Sequence, residues 1–377
     1  MNFSQIIGQE SVKKMLSSMI VERRVPHAVL MTGAKGVGKL SLALALSKRI
    51  LCDNTTGFDS CNACQSCLLA DRLEHPDLHL VFPVIKLSDS VNTCKHFTKE
   101  FRDAVLKDPY ISVEEWMNVL NVLYDEKKRG LIYAEESDDI IEIVYSCPFL
   151  SKFKVVVIWM AELMNEVCAN KILKVLEEPP HDTVFILVSN EPEGVLQTIR
   201  SRCLRIEIPI ISQEEMGEAI RQRYDVDDRQ LRYMVEAANG SWSQLQQVVS
   251  QTENSKLCFD LFVEMMRIAW QFDMSKTRDF SIKVSKLNRN LQLEFLANAQ
   301  RLLRENFICH IGMQNISYMN AEEQQFAQRF SQFISEKNVL DIYELFALAE
   351  RQIAQNVNSE IIFFHSIVKL YIYLHKG

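Results

Sequence analysis

The sequence predicts an N-terminal α/β domain built on a parallel sheet, followed by two helical domains. Three observations carry this expectation. Short apolar, β-branched runs alternate with helical periodicities as far as Pro209, the pattern of strands covered on both faces by crossover helices. One strand-to-helix junction is glycine-rich, Gly33-Ala34-Lys35-Gly36-Val37-Gly38-Lys39, and fits a phosphate-binding loop, G-x-x-x-x-G-K. Beyond Pro209 there is no further proline, and helical periodicity dominates.

In chain order, Val12, Met15, Leu16, Met19 and Ile20 fall at helical spacing, and Pro26 interrupts the chain. Residues 28–32 read as a buried strand and 40–51 as a helix, with the glycine loop between them. That order is the one a phosphate loop requires. The glycines permit a tight turn that aims backbone N–H groups at phosphate, and the helix N-terminus adds partial positive charge. The next residue should be Ser or Thr, whose hydroxyl binds Mg²⁺. Here it is Leu40, which has no oxygen to offer.

Cys52, Cys61, Cys64 and Cys67 follow with spacing C-x8-C-x2-C-x2-C. Four thiolates complete a tetrahedral Zn²⁺ shell and leave no open position, so the expected site is structural. His75 and His79 are read as ordinary surface or loop histidines. Cys94, Cys147, Cys168, Cys203, Cys258 and Cys309 are scattered and read as packing residues.

Residues 84–137 read as a helical insertion. Charged segments at 99–107 and 124–129 flank Trp116, Val119, Leu120 and Leu123 at helical spacing. The expectation is a solvated excursion without chemistry. Residues 138–145 then carry one apolar helical face, and 154–159 form a nearly continuous β-branched run typical of a central parallel strand. A helix over 165–178 is stopped by Pro179-Pro180. Further strands are expected at 183–189 and 204–208. Ser212-Gln213-Glu214-Glu215 is a capping box. The expected domains are 1–209, a small helical domain over 210–255 and a larger helical domain over 256–377.

Composition limits the function. A chain of 377 residues, 47% of them hydrophobic, exceeds one ordinary core. The N-terminal residues lack the basic and apolar regions of a signal peptide, and no apolar stretch approaches a membrane span. A soluble cytoplasmic protein is expected, with no membrane partner. The formal net charge of −7 argues against a protein that holds DNA by itself.

Several short stretches in order carry a family resemblance. They are Ile7-Gly8-Gln9, the loop 33–39, the four cysteines, Leu176-Glu177-Glu178-Pro179-Pro180, Ser189-Asn190-Glu191-Pro192 and Arg200-Ser201-Arg202-Cys203. Together they resemble the clamp-loader branch of the AAA+ ATPases, over about residues 1–250. The resemblance implies an AAA+ domain, a helical lid and a helical collar that assembles the subunits. It implies a role in DNA replication within a polymerase holoenzyme. The implied partners are clamp-loader ATPase subunits, a delta-type subunit, the sliding clamp and, through the complex, primer-template DNA.

The same comparison makes departures legible. Leu40 replaces the Mg²⁺-binding hydroxyl. Trp159-Met160 stands where the family has an acidic pair, one carboxylate for metal and one to polarise water. Ser243, after Gly240-Ser241, falls where active relatives carry an arginine that senses the γ-phosphate. Mg²⁺ then has no protein anchor, although Lys39 and the loop N–H groups can still hold a phosphate. ATP binding is doubtful and no intrinsic ATPase is expected; the loop is expected to survive as a structural turn. In contrast, Ser201-Arg202-Cys203 is intact, and in the family its arginine is a finger that reaches the ATP of the adjacent subunit. Arg200 is read as structural.

Two other readings stand beside this one. An active ATPase could use Ser41 and Glu162 in place of the lost groups, but Ser41 lies about 100° round the helix from Leu40. A zinc-based DNA-binding adaptor is opposed by the acidic balance and by the lack of a basic neighbourhood around the cysteines.

Overall fold

The computed structural model describes the chain apart from residues 55–56, 89–90, 181, 225, 314–318, 320 and 377, and apart from the side chains of 229, 250–252 and 321. It divides into two compact units, Met1–Val248 and Val249–Gly377.

In the first unit five parallel strands form one sheet. They are β1 (Ala28–Gly33), β2 (Leu78–Val81), β3 (Lys154–Trp159), β4 (Thr183–Val188) and β5 (Leu204–Ile208), in spatial order β2-β3-β4-β1-β5. β3 and β4 are buried at every residue and β1 at all but its last, which is why they read as continuous apolar runs. β5 lies at the edge and alternates: Ile206 and Ile208 are buried, while Leu204, Arg205 and Glu207 are exposed. β2 is too short, and too polar at His79, to announce itself in the sequence. Met31 and Trp159 both pair with Val188, so the carboxyl ends of β1, β3 and β4 lie together. At such an end, beside a reversal of strand order, parallel sheets bind ligands.

Around the sheet stand α1 (Glu10–Val21), α2 (Lys39–Leu51), α3 (Gln65–Asp71), α4 (Thr98–Lys107), α5 (Val113–Leu123), α6 (Ala134–Tyr145), α7 (Glu166–Glu177) and α8 (Gln197–Arg200). α9 (Gln213–Arg223) opens on the expected capping box: Ser212 accepts from the Glu215 N–H, and Glu215 accepts from the Ser212 N–H. α10 (Asp228–Ala238) and the start of α11 (Trp242–Gln271) complete the unit. The 209/210 division falls between β5 and α9, whereas α11 runs through 255/256 without a break.

The insertion is helical but is not the solvated excursion anticipated. α4 and α5 turn Phe101, Val105, Trp116 and Leu120 inward, each nearly or fully buried. Phe82 stacks on Phe101 with centroids 3.8 Å apart, and Trp116 meets both rings edge-on. The Trp116 indole N–H donates to the Pro83 carbonyl at 2.8 Å. Val84 and Leu131 exchange backbone hydrogen bonds and close the excursion at its base. Each such burial contributes roughly 1.5–3 kcal/mol, so the segment is fastened to the domain. The charged residues of 99–107 hid this, because Phe101 and Val105 share one face of α4 and the charges take the other.

The second unit is helical. It contains the remainder of α11, then α12 (Met274–Ser285), α13 (Arg289–His310), α14 (Ala321–Phe330), α15 (Val339–Ala354) and α16 (Ser359–Leu374). Phe280, Phe295, Leu302, Phe346, Phe363 and Leu370 form its core. α13 packs along α15, and α12 along α16. No helix among the described residues is long and apolar enough to cross a membrane.

Candidate functional site

The glycine loop is the expected strand-to-helix turn, leaving β1 at Gly33 and entering α2 at Lys39. Gly36 and Gly38 adopt left-handed φ values of 73° and 89°. What faces them is the chain itself. A Cβ on Gly36 would lie 2.2 Å from the hydroxyls of both Ser241 and Ser243, and one on Gly38 would lie 2.9 Å from the Tyr110 ring. The Trp242 N–H donates to the Gly36 carbonyl at 2.8 Å. Ser243 therefore sits against the loop. The nearby cation, Arg223, instead covers the Trp242 ring at 4.6 Å.

Lys39 is turned back on its own loop. Its ammonium donates to the carbonyls of Gly33 and Ala34. Burial lowers its pKa to about 8, against an opposing pull from Glu162. Leu40 is buried. Ser41 points into the insertion and donates to the Pro109 carbonyl at 2.7 Å. Trp159 packs against Phe101 at 5.5 Å, and the Met160 sulfur accepts from the Asn190 amide. Glu162 lies in the first turn of a short 3-10 helix, Ala161–Leu163, and accepts the N–H groups of Asn190 and Glu191 at 2.8 and 3.2 Å.

The insertion covers the loop. The Tyr110 hydroxyl accepts the Ile7 N–H at 2.9 Å while its ring lies against Gly38. Glu114 pairs with Lys35 at 2.8 Å. The cavity left between the loop, Tyr110, Trp159 and Asn190 measures about 40 Å³.

Arg202 lies just beyond α8, on the turn that leads into β5. One terminal nitrogen, Nη1, donates to the Thr198 carbonyl at 2.8 Å, and Nη2 pairs with Glu177 at 2.6 Å. The side chain is 34% exposed. Burial pushes the Cys203 thiol up to about 11. Arg200 pairs with Glu193 at 2.6 Å.

Cys52, Cys61, Cys64 and Cys67 converge, with all four sulfurs within 4.8 Å of one another. The Cys61 and Cys67 sulfurs are 3.8 Å apart. Tetrahedral bonds of about 2.3 Å to one ion would separate sulfurs by about 3.8 Å, so the cluster fits a single metal ion. N–H groups of Cys61, Cys64 and Cys67 point at sulfurs of the cluster. The backbone N–H groups of Ala63 and Cys64 lower the Cys61 thiol to about 6, whereas burial raises Cys67. A bound cation would deprotonate the whole set. Of the remaining cysteines, Cys94, Cys168 and Cys258 are buried as packing residues would be, but Cys147 is exposed.

His75 is buried rather than a surface residue. Its Nδ1 accepts the Asp77 N–H, and its Nε2 lies 3.2 Å from the Ser151 hydroxyl. The buried Asp77 carboxylate accepts the N–H groups of Phe149, Leu150 and Ser151. Burial alone would push it up, but these bonds outweigh burial and hold it below the usual range. His79 is also shielded, and burial lowers its pKa. Tyr110, Asp77 and Glu177 escaped the sequence reading. Only Glu177 stood in a motif, and its partner lies 25 residues further on.

The sequence model of the family described as DNA polymerase III, delta subunit, matches residues 8–212. The chain belongs to that family. The match takes in the loop, the cysteine cluster and Ser201-Arg202-Cys203, all within the α/β first unit with its parallel sheet. The chain is 28% identical over 231 residues to the DNA polymerase III delta' subunit of Bacillus subtilis, covering 61% of this chain and 56% of that protein. It is 26% identical over 244 residues to the gamma subunit of Buchnera aphidicola, covering 63% and 55%. A delta' subunit of Pseudomonas aeruginosa is 28% identical over 184 residues, covering 49% and 43%. The chain thus spans about half the length of these curated relatives. Among solved structures, a Bacillus subtilis clamp loader delta protein aligns over 96% of this chain and 99% of that one, at 10% identity and a TM-score of 0.33.

Proposed function

We propose that this protein is a non-hydrolysing, delta-prime-type subunit of the DNA polymerase III clamp loader, and that it lends Arg202 to the ATP of a neighbouring subunit. One observation carries the reading. The chain's own residues fill its phosphate loop, while the arginine of an intact Ser201-Arg202-Cys203 remains partly exposed. Phosphoryl transfer is catalysed mainly by positioning and by neutralising charge as it develops. Leu40, Trp159, Met160 and Ser243 offer neither to a nucleotide in this loop. Lys39, with its ammonium on two carbonyls, serves the turn instead. Arg202 presents a planar fork of donors suited to phosphate oxygens. Ser41 is turned onto the Pro109 carbonyl, and one carboxylate oxygen of Glu162 is taken by two backbone N–H groups, which counts against an active site of unusual ligands.

In this reading the protein joins a ring of ATPase subunits and a delta-type subunit through its helical collar, and helps load the sliding clamp on primer-template DNA. It belongs to the polymerase holoenzyme without turning over nucleotide itself. The metal of Cys52, Cys61, Cys64 and Cys67 is Zn²⁺, held by a closed sulfur set with a structural role.

The purified chain should show no ATP turnover above a Lys39→Ala control. In the reconstituted complex, Arg202→Ala should lower turnover without preventing assembly. Robust hydrolysis by the isolated chain would sink the first half of the proposal, and an unaffected complex would sink the second.

A further inference from the structure

We infer that Glu177 is the positioning residue of Arg202: it parks the guanidinium in a docked rotamer and competes with the phosphate that Arg202 reaches. The inference rests on the finger reading above. Glu177 is the last residue of α7 and Arg202 follows α8, so two motifs 25 residues apart meet in one ion pair of 2.6 Å. The placement is telling. Glu177 stands at a helix C-terminus, where carbonyl partial charges oppose a carboxylate, and Pro180 prevents the helix from continuing past it. A cation beside it offsets that cost.

The geometry also says what a ligand must displace. Nη1 is held by the Thr198 carbonyl, and Nη2 by the Glu177 carboxylate. Those terminal nitrogens are the edge that would meet two phosphate oxygens. The Thr198 carbonyl belongs to the backbone of the same turn, so Glu177 is the partner that can leave. The pair is open to solvent, with side chains 34% and 47% exposed. Pairs this exposed favour the closed state by about 1.4- to 5-fold, so a more highly charged phosphate can take the arginine away. Arg200 does not compete for Glu177, because it is bound to Glu193.

The test uses the reconstituted complex and a double-mutant cycle. Arg202-dependent turnover is the part of the ATPase rate lost in Arg202→Ala. Glu177→Gln removes the charge and keeps the shape. It should raise the Arg202-dependent turnover by up to about fivefold, the range set by the strength of an exposed pair. Glu177→Asp, which keeps the charge, should remain near the parent rate. Added to Arg202→Ala, Glu177→Gln should change nothing. A fall or no change with Glu177→Gln alone, or the same change with and without Arg202, overturns the inference. If Arg202→Ala itself leaves turnover intact, the finger reading has failed first, and the two failures are thereby told apart.

Discussion

The glycine loop and the Ser-Arg-Cys turn belong to the same unit, yet they differ in what meets them. Much of the loop is covered by its own chain: Ser241 and Ser243 over Gly36, Tyr110 over Gly38, and two carbonyls on Lys39. Arg202 is held by the Glu177 ion pair, the Thr198 carbonyl and a longer contact to the Ser201 hydroxyl, with a third of its side chain exposed. Two motifs of one unit can therefore face opposite ways, one toward its own chain and one toward solvent. A Cβ at Gly36 or Gly38 would collide with the chain. In the proposed reading, the arginine serves a ligand outside the molecule.

The sharpest way to break this contrast is to strip the proposed metal from the cysteine cluster. The segment between Cys52 and Cys61 carries Asp59, which accepts the N–H groups of Phe3 and Ser4 at 2.8 and 3.0 Å. Ile7, a few residues on, donates to Tyr110. Metal loss should thus loosen the covered side of the unit. Structural zinc is worth ~10–16 kcal/mol in small domains. Chelation, or Cys67→Ser, should therefore cost the first unit several kcal/mol by thermal unfolding. An unchanged transition after verified metal removal would contradict a structural role.

A smaller change sharpens the contrast from the loop side. Tyr110→Ala takes away the ring that lies against Gly38, at a stability cost of ~3–5 kcal/mol if it behaves like other buried aromatic truncations. The folded variant should bind ATP measurably in calorimetry at millimolar concentration, while the parent chain does not. If the folded variant still takes up no nucleotide, Tyr110 is not what closes the site.

The smallest expected effect is electrostatic. Burial lowers the pKa of Lys39 to about 8, whereas an unfolded lysine titrates near ~10.4. Between those values the unfolded chain binds more protons than the folded one, so the stability conferred by Lys39 rises with pH. The penalty is full below pH ~8 and relieved above ~10.4. Relative to Lys39→Met, the parent chain should gain about 1–3 kcal/mol between pH 7 and 10 in denaturant titrations. A difference that stays constant over this range would show that the amine is solvated.

Much of the fold was legible because the signals are local. The runs at 28–32, 154–159 and 183–189 announced central strands, and each lies within one residue of its observed bounds. The cysteine spacing announced a cluster because three of its ligands sit on adjoining turns. The insertion was misjudged because charge density was taken for solvation, although Phe101 and Val105 lie on one buried face. β2 and His75 were missed because burial there comes from neighbours distant in the chain, with Asp77 reaching Phe149 more than seventy residues away.

By itself the sequence determined the composition of each site: a phosphate loop without its hydroxyl, four sulfurs at metal spacing, and an arginine in an intact triplet. Those are properties of residue type and short spacing, which the chain carries whether folded or not. Only the tertiary structure decided what stands opposite them. Tyr110 meets Gly38, Ser243 meets Gly36 and Glu177 meets Arg202 across gaps that no local periodicity encodes. Such contacts arise where the sheet order and the packing of the insertion bring distant segments together.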